Sequence, residues 1–300
     1  MIQTVTIVNH RGESLELDLR DPWKSGIAIR SIDGLGPPRA TINMTELSTV
    51  DGSVFNSARV SSRIIDVQLI MLENPMIEDT RHLIYRYFPV KKEVKIIVKT
   101  DRREVYTTGY VESNIPDIFS NMEGASIAIT CADPYFYSLD DNVTYLNAVA
   151  GGFEFPFTNP VNTYSLKFGN LSSGDPTNIY YDGETAVGIN IEIHFTGPVN
   201  TLRIYNITSD QELLIDTAQL SSITGTPIQA GDVIKICTIP GKKSIILNRN
   251  GTIYNILSAL SRNTRWIQLE PGDNVFVYSA VAGVNNMLIT ITNKELYEGV

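Results

Sequence analysis

Short segments in which apolar side chains recur at every second position run through most of this chain. Within residues 61–72, for example, Ile65, Val67, Leu69 and Met71 fall on one side of an extended backbone. A period of two is typical of a β-strand with one buried face. Similar segments follow one another, separated by short turns rich in Gly, Pro, Asn and Asp, so the chain is predicted to be mainly β.

One segment, residues 74–88, predicts an α-helix instead. Asn74 is a suitable N-cap, Pro75 suits the first helical position, and acidic residues follow in the first turn. Apolar residues at helical spacing provide a face to bury, and Pro89 is expected to end the helix.

The chain has 300 residues, which suggests two domains of ordinary size, with one large β domain as the alternative. Strands stay closely spaced up to Tyr137, after which the sequence becomes rich in Asn, Thr, Gly and Ser. We expect an N-terminal β domain over residues 1–137, a linker over 138–163 and a C-terminal domain over 164–300. The short, regularly punctuated strands of the last segment favour a β-sandwich or jelly roll.

A protruding hairpin is predicted between the strands at residues 40–45 and 61–72. The loop between them, residues 46–59, is polar and contains Asp51-Gly52. That dipeptide favours a tight reverse turn.

The charge distribution argues against two classes of function. The formal net charge is −9, so a general nucleic-acid binder is not expected. Basic residues are concentrated in residues 81–103, where such a run is usually a solvated face and otherwise a contact surface for an acidic neighbour. No apolar run reaches the ~18 residues of a membrane helix. Because the first residues follow a strand pattern rather than a signal peptide, we expect a soluble protein made in the cytoplasm.

Catalytic and metal-binding motifs are not found in the sequence. The two cysteines and three histidines lie far apart, without metal-ligand spacing. We therefore predict no enzyme activity, no metal and no cofactor. Two weak alternatives are Glu192 with Asp140 and Asp141 as glycosidase carboxylates, and Trp266 as a sugar-stacking platform. The setting of Trp266 fits a core aromatic in a strand better.

Three blocks of sequence carry a family resemblance through their order and spacing. The first covers residues 26–38 and 51–59. The second covers residues 87–137 and ends in Asp133-Pro134-Tyr135-Phe136, and the third covers residues 231–236, 243–247, 250–251 and 266–274. Together they resemble the distal tail proteins of long-tailed phages that infect Gram-positive bacteria, and their relatives in prophages and tail-like particles.

The resemblance implies an N-terminal β-sandwich with one α-helix, related to tail-tube proteins, and a C-terminal galectin-like β-sandwich. It implies a homo-hexameric ring at the tip of the virion tail. That ring would join the tail-tube and tape-measure proteins to the hub or fibre protein of the baseplate. Sugar-binding galectins use a His-Asn-Pro-Arg type of cluster, whereas His194 is followed here by Phe195-Thr196-Gly197-Pro198. The second domain is therefore expected to share the shape without that site.

The predicted hairpin, residues 44–60, is the candidate contact between subunits of such a ring. Phe55 would supply an apolar anchor, while Glu46, Asp51, Arg59 and Arg63 would set the register by charge. The alternative for this segment is an ordinary mobile loop. The alternative for the whole chain is a carbohydrate-binding module, in residues 150–300, that aids adhesion to the host cell wall.

Overall fold

The computed structural model describes residues 1–48, 51–120, 122–146, 148–151, 169–172 and 176–300. It is mainly β, as predicted. The chain forms two compact units: the first contains Met1–Leu139 together with Leu296–Val300, and the second contains Asp140–Glu295.

The strands are numbered in chain order. Those before Asp140 are β1 (Ile2–Val8), β2 (Ser14–Asp18), β3 (Ile27–Asp33), β4 (Ala40–Glu46), β5 (Ser53–Val60), β6 (Arg63–Met71), β7 (Glu93–Thr100), β8 (Glu104–Asp117), β9 (Gly124–Cys131) and β10 (Phe136–Ser138). Those after it are β11 (Asn142–Tyr145), β12 (Ala148–Gly151), β13 (Gly169–Ser172), β14 (Thr177–Tyr181), β15 (Val187–Gly188), β16 (Asn190–Phe195), β17 (Asn200–Asn206), β18 (Gln211–Ile215), β19 (Val233–Cys237), β20 (Ser244–Arg249), β21 (Thr252–Asn255), β22 (Gln268–Leu269), β23 (Gly272–Ala282), β24 (Met287–Asn293) and β25 (Leu296–Tyr297). The α-helices are α1 (Ile77–Tyr87) and α2 (Thr217–Thr224), and single 3-10 turns lie at Pro22–Lys24, Leu257–Ala259 and Val284–Asn286.

The first unit is built on one antiparallel sheet in the order β2-β1-β7-β8-β9-β6-β3. Its inward residues alternate as predicted: Ile65, Val67, Leu69 and Met71 of β6 are all buried, and the residues between them are exposed or partly exposed. The edge strands β2 and β3 approach each other. The sheet therefore curls around one apolar core, against which Ile84 of α1 is buried.

Helix α1 ends where predicted but starts later. Its N-cap is Met76, which has no side-chain cap hydrogen bond, so the prediction of Asn74 as cap and Pro75 as first helical residue is wrong. Asn74 is used elsewhere, because its Nδ2 donates to the carbonyl of Trp23 at 3.0 Å. At the other end, the Phe88 N–H bonds the Ile84 carbonyl just before Pro89.

The second unit contains a six-stranded sheet, β11-β24-β16-β19-β20-β21, and a four-stranded sheet, β14-β23-β17-β18. Strands such as β16 and β17 bury alternate residues, as a sandwich requires. Helix α2 is not predicted by the sequence analysis. Asp216 caps it by accepting from the Ala218 N–H, and Gly225 ends it with a φ of 77°.

The chain returns to the first unit after Glu295. Strand β25 pairs with β10 through Phe136↔Tyr297 and Tyr137↔Leu296. Part of the predicted linker, residues 152–163, lies outside the described residues, and the division at 1–137, 138–163 and 164–300 stays a prediction.

Candidate assembly interface

A two-stranded ribbon, residues 40–60, extends from the first unit; we call it the arm. Its strands β4 and β5 pair with each other and, among the described strands, with no other. Every residue in both strands is exposed. The expected loop at residues 46–59 is therefore largely a strand, although Thr49 and Val50 lie outside the described residues. Because a lone two-stranded hairpin is only marginally stable in water, we expect contacts outside the arm to stabilise it.

The register of the arm separates its side chains into two chemically different faces. We call one the apolar face, because its cross-strand pairs are Ala40↔Val60, Ile42↔Ala58 and Met44↔Phe55. We call the other the polar face, and its pairs are Thr41↔Arg59, Asn43↔Ser57 and Thr45↔Val54. The exposed fractions of Ile42, Met44 and Phe55 are 54%, 56% and 60%.

A β-bulge places Phe55 on the apolar face. The register shifts between Asn43 and Met44, so that Met44 pairs with Phe55 rather than with Asn56. Without that shift in register, Phe55 would oppose Thr45 on the polar face. The bulge therefore gathers the large apolar side chains on one side of the arm.

The polar face satisfies many of its own hydrogen bonds. Asn43 Nδ2 donates to Ser57 Oγ at 3.0 Å, and Asn56 Nδ2 donates to Thr45 Oγ1 at 2.6 Å. The apolar face instead leaves more than half of the surface of Ile42, Met44 and Phe55 in water. Covering it would remove apolar surface from solvent, which stabilises an interface by roughly 25 cal/mol per Å².

Four of the five predicted contact residues lie exposed on the arm. Phe55 is on the apolar face and Arg59 on the polar face, while Glu46 lies at the end of β4 and Asp51 in the turn. The structure therefore brings an aromatic residue and three charges together on one protruding element. Their contacts with another subunit stay predictions.

Arg63 differs from these four because it is only 3% exposed. Its guanidinium donates to four carbonyl oxygens of the first unit: Pro134 at 2.6 Å, Gly34 at 2.5 Å, Gly36 at 2.7 Å and Glu298 at 2.5 Å. It also lies 4.5 Å from the centre of the Phe136 ring. Burial lowers the pKa of Arg63, but an arginine stays charged at neutral pH. Arg63 is thus occupied inside its own unit and cannot set the register with a neighbour, which corrects the sequence interpretation.

Much of the basic run at residues 81–103 is also engaged within the first unit. Arg81 pairs with Glu123 at 2.7 Å, and Arg86 pairs with Glu13 at 2.5 Å. The hydrogen bond from Arg86, with one from Asn9, lowers the pKa of Glu13 to about 2. These pairs favour the solvated-face interpretation of the run over a dedicated contact surface.

The environments of Trp266 and Glu192 in the second unit bear on the roles considered for them. Trp266 is only partly buried and precedes β22, so its prediction as a core aromatic in a strand is wrong; Lys243 Nζ lies 5.3 Å from its ring. Glu192 contacts Lys235 at 2.9 Å and His194 at 2.7 Å. The hydrogen bond from Lys235, with a smaller one from His194, lowers the pKa of Glu192. A carboxylate kept ionised in this way is poorly suited to act as a general acid.

Neither a metal cluster nor a membrane span was found in the part of the chain that the structure describes. No group of three or more His, Cys, Asp or Glu side chains there is arranged to hold a metal ion. The helices within those same ranges are too short and too polar to cross a bilayer.

Comparisons with known proteins identify the chain through two family models. Residues 10–170 match the phage tail protein RIFT-related domain, and residues 182–297 match the C-terminal domain of the siphovirus-type tail component. A search of curated proteins gives no match.

One solved structure shows the same fold over nearly the whole chain. The Dit protein of phage SPP1, described as a paradigm of the hub adsorption apparatus in phages infecting Gram-positive bacteria, is 13% identical with a TM-score of 0.65, and the match covers 97% of this chain and 98% of that one. A chain of the phage P2 baseplate, in its activated conformation with calcium, is 12% identical with a TM-score of 0.46 over the whole of both chains. The chain belongs to the family of phage tail proteins with a RIFT-related domain.

Proposed function

We propose that this chain forms a homo-hexameric ring that joins the tail tube to the tail-tip hub. Its neighbours would be the tail-tube protein, the tape-measure protein and the hub or fibre protein. Family membership supports a structural role in the baseplate, with no catalytic step. The observation that carries the ring proposal is the exposed apolar face of the arm.

A closed ring repeats one heterologous contact, in which a surface of each subunit binds a different surface of the next. The arm suits the donor side of that contact because it protrudes and presents Ile42, Met44 and Phe55 together. Aromatic side chains near the centre of an interface often dominate its binding energy. Glu46, Asp51 and Arg59 would lie around this centre and select the correct register.

Two substitutions at adjacent positions test the proposal. Phe55→Asp places a charge on the apolar face, whereas the control Val54→Asp places the same charge on the polar face of the same strand. We expect Phe55→Asp to abolish assembly with the neighbouring baseplate proteins, measured by negative-stain microscopy and sedimentation, and Val54→Asp to retain it. Rings of the Phe55→Asp variant equal in yield to the parent would refute the arm as the ring contact.

A deletion tests the arm as a whole. Removing residues 49–57 should leave a folded monomer by circular dichroism, since none of the described residues in this range, 51–57, belongs to the core of the first unit. If the shortened chain still sediments as a ring, the arm is not the ring contact.

Carbohydrate binding by the second unit is a second candidate, which the incomplete burial of Trp266 favours. Its test is a cell-wall glycan array probed with the full chain. Loss of glycan binding in Trp266→Ala would support this function. Equal signals from parent and variant would eliminate Trp266 as the platform.

A further inference from the structure

The arm is attached to the first unit through a short root, residues 34–39, which leads from β3 into β4. Backbone groups of the root are bound by two partners that lie far away in sequence. Arg63 donates to the carbonyls of Gly34 and Gly36. The Val300 N–H donates to the Leu35 carbonyl at 3.0 Å.

Residues 296–300, which we call the return segment, follow the whole of the second unit in the chain. Strand β25 anchors the segment through its pairing with β10, and Leu296 and Tyr297 are only 5% and 8% exposed. Beyond them, Glu298 offers its carbonyl to Arg63 and Val300 packs against the core of the first unit. Leu35 of the root packs against the same core.

Arg63 joins these parts through a single side chain. It begins β6, three residues after the arm ends at Val60, and it bonds both the root and the return segment. Removing the return segment would take one carbonyl from Arg63 and one N–H from the root. The root would then keep its hydrogen bonds to Arg63 but lose its packing contacts with the return segment.

We propose that the return segment is a latch that fixes the direction of the arm, so that ring assembly waits until residues 296–300 have docked. The inference rests on the proposed ring function of the arm and adds a control to it. A subunit whose second unit is incomplete in the chain would have no docked return segment. Such a subunit would present a loosely directed arm and be a poor ring partner.

A matched pair of glycine substitutions tests the latch in the full chain. A Cβ added at Gly299 would lie 3.2 Å from the Leu35 carbonyl oxygen and 3.3 Å from Gly36 C and Pro37 Cδ, so Gly299→Val wedges the segment away from the root. A Cβ at Gly36 would meet nothing within 4 Å, so Gly36→Val makes the same change in the root itself without the steric clash. Deletion of residues 296–300 is the stronger variant, and Gly299→Val keeps the test valid if that deletion unfolds the chain.

Pulsed electron spin resonance on dilute, monomeric protein gives the direct readout. Spin labels at Val54→Cys on the arm and Glu104→Cys on β8 report the arm direction in a Cys237→Ser background, since Cys131 is fully buried and will not react. We expect the distance distribution to broaden roughly twofold in Gly299→Val, as a locally released element samples more orientations, and to stay narrow in Gly36→Val.

The outcomes separate the latch from the ring. Broadening together with loss of rings supports both proposals. Distributions of equal width in Gly299→Val, in the deletion and in the parent overturn the latch, whatever happens to assembly. Broadening with normal ring yield supports the return segment as a restraint on the arm but overturns the inference that ring assembly waits for its docking; the arm as the ring contact is then decided by Phe55→Asp alone.

Discussion

Strands β5 and β6 are neighbours in the chain, yet they meet very different surroundings. In β6 every second residue is buried, and Ile65 has no exposed surface. In β5 every residue is exposed, and Phe55 keeps 60% of its surface in solvent. Both segments can form strands; the difference is that the core of the same unit covers one face of β6. An exposed apolar strand face thus indicates a partner outside the unit.

Arg59 and Arg63 give the sharpest test of this comparison. Arg63→Met leaves four backbone carbonyl oxygens without their donor, and unsatisfied buried acceptors cost about 1–3 kcal/mol each, so we expect a loss of about 4 kcal/mol in the free energy of unfolding. Arg59→Met, four positions earlier on the exposed arm, should change it by less than about 0.5 kcal/mol. Urea denaturation of the monomer measures both. A similar cost for the two variants would show that Arg63 is not an internal anchor.

A second pair compares isoleucines of the core and of the arm. Ile65→Ala opens a cavity in the first unit and should lower the free energy of unfolding by about 3 kcal/mol. Ile42→Ala removes the same atoms from a side chain that is already 54% exposed, so the monomer should lose less than about 0.5 kcal/mol. Ring yield should reverse this order, because Ile42 belongs to the proposed interface. If Ile42→Ala destabilises the monomer as much as Ile65→Ala, the arm is already packed against its own unit.

Glycines with positive φ provide a third comparison. Gly34 has a φ of 88°, and a Cβ there would lie 2.1 Å from the Ile64 carbonyl oxygen. Gly52 has a similar φ of 97°, with open space around it. In both alanine variants the left-handed backbone should lower the free energy of unfolding by about 1 kcal/mol. Gly34→Ala also forces the root away from β6, so its total loss should be about 2–3 kcal/mol. Equal thermal unfolding midpoints for the two variants would contradict close packing at the root.

The sequence predicted local structure well and long-range contacts poorly. The period of two predicted the alternation in β6, and Pro89 predicted the end of α1. The start of α1 was predicted wrongly, because Asn74 donates a hydrogen bond to Trp23 instead of capping the helix. The burial of Arg63 depends on carbonyls at Gly34, Pro134 and Glu298, which no local pattern near residue 63 reveals. The bulge that turns Phe55 to the apolar face arises from one extra residue in β5, and a single-strand pattern cannot show which residue that is.

The smallest expected effect compares two surface carboxylates at different pH. Arg86 and Asn9 lower the pKa of Glu13 to about 2 from a usual value of 4.5. Because the folded-state pKa is lowered, the stabilisation by Glu13 is complete above about pH 4.5 and is lost as the pH falls towards 2. The difference in urea midpoint between the parent and Glu13→Gln should therefore be largest at neutral pH and vanish near pH 2.

Glu46→Gln is the control for this titration, because Glu46 lies on the exposed arm and should leave the monomer midpoint unchanged at neutral pH. High salt should shrink the Glu13 effect, since Glu13 and Arg86 keep 30% and 57% of their side-chain surface exposed. A Glu13→Gln difference that persists unchanged down to pH 2 would show that the side chain acts through packing rather than through its charge.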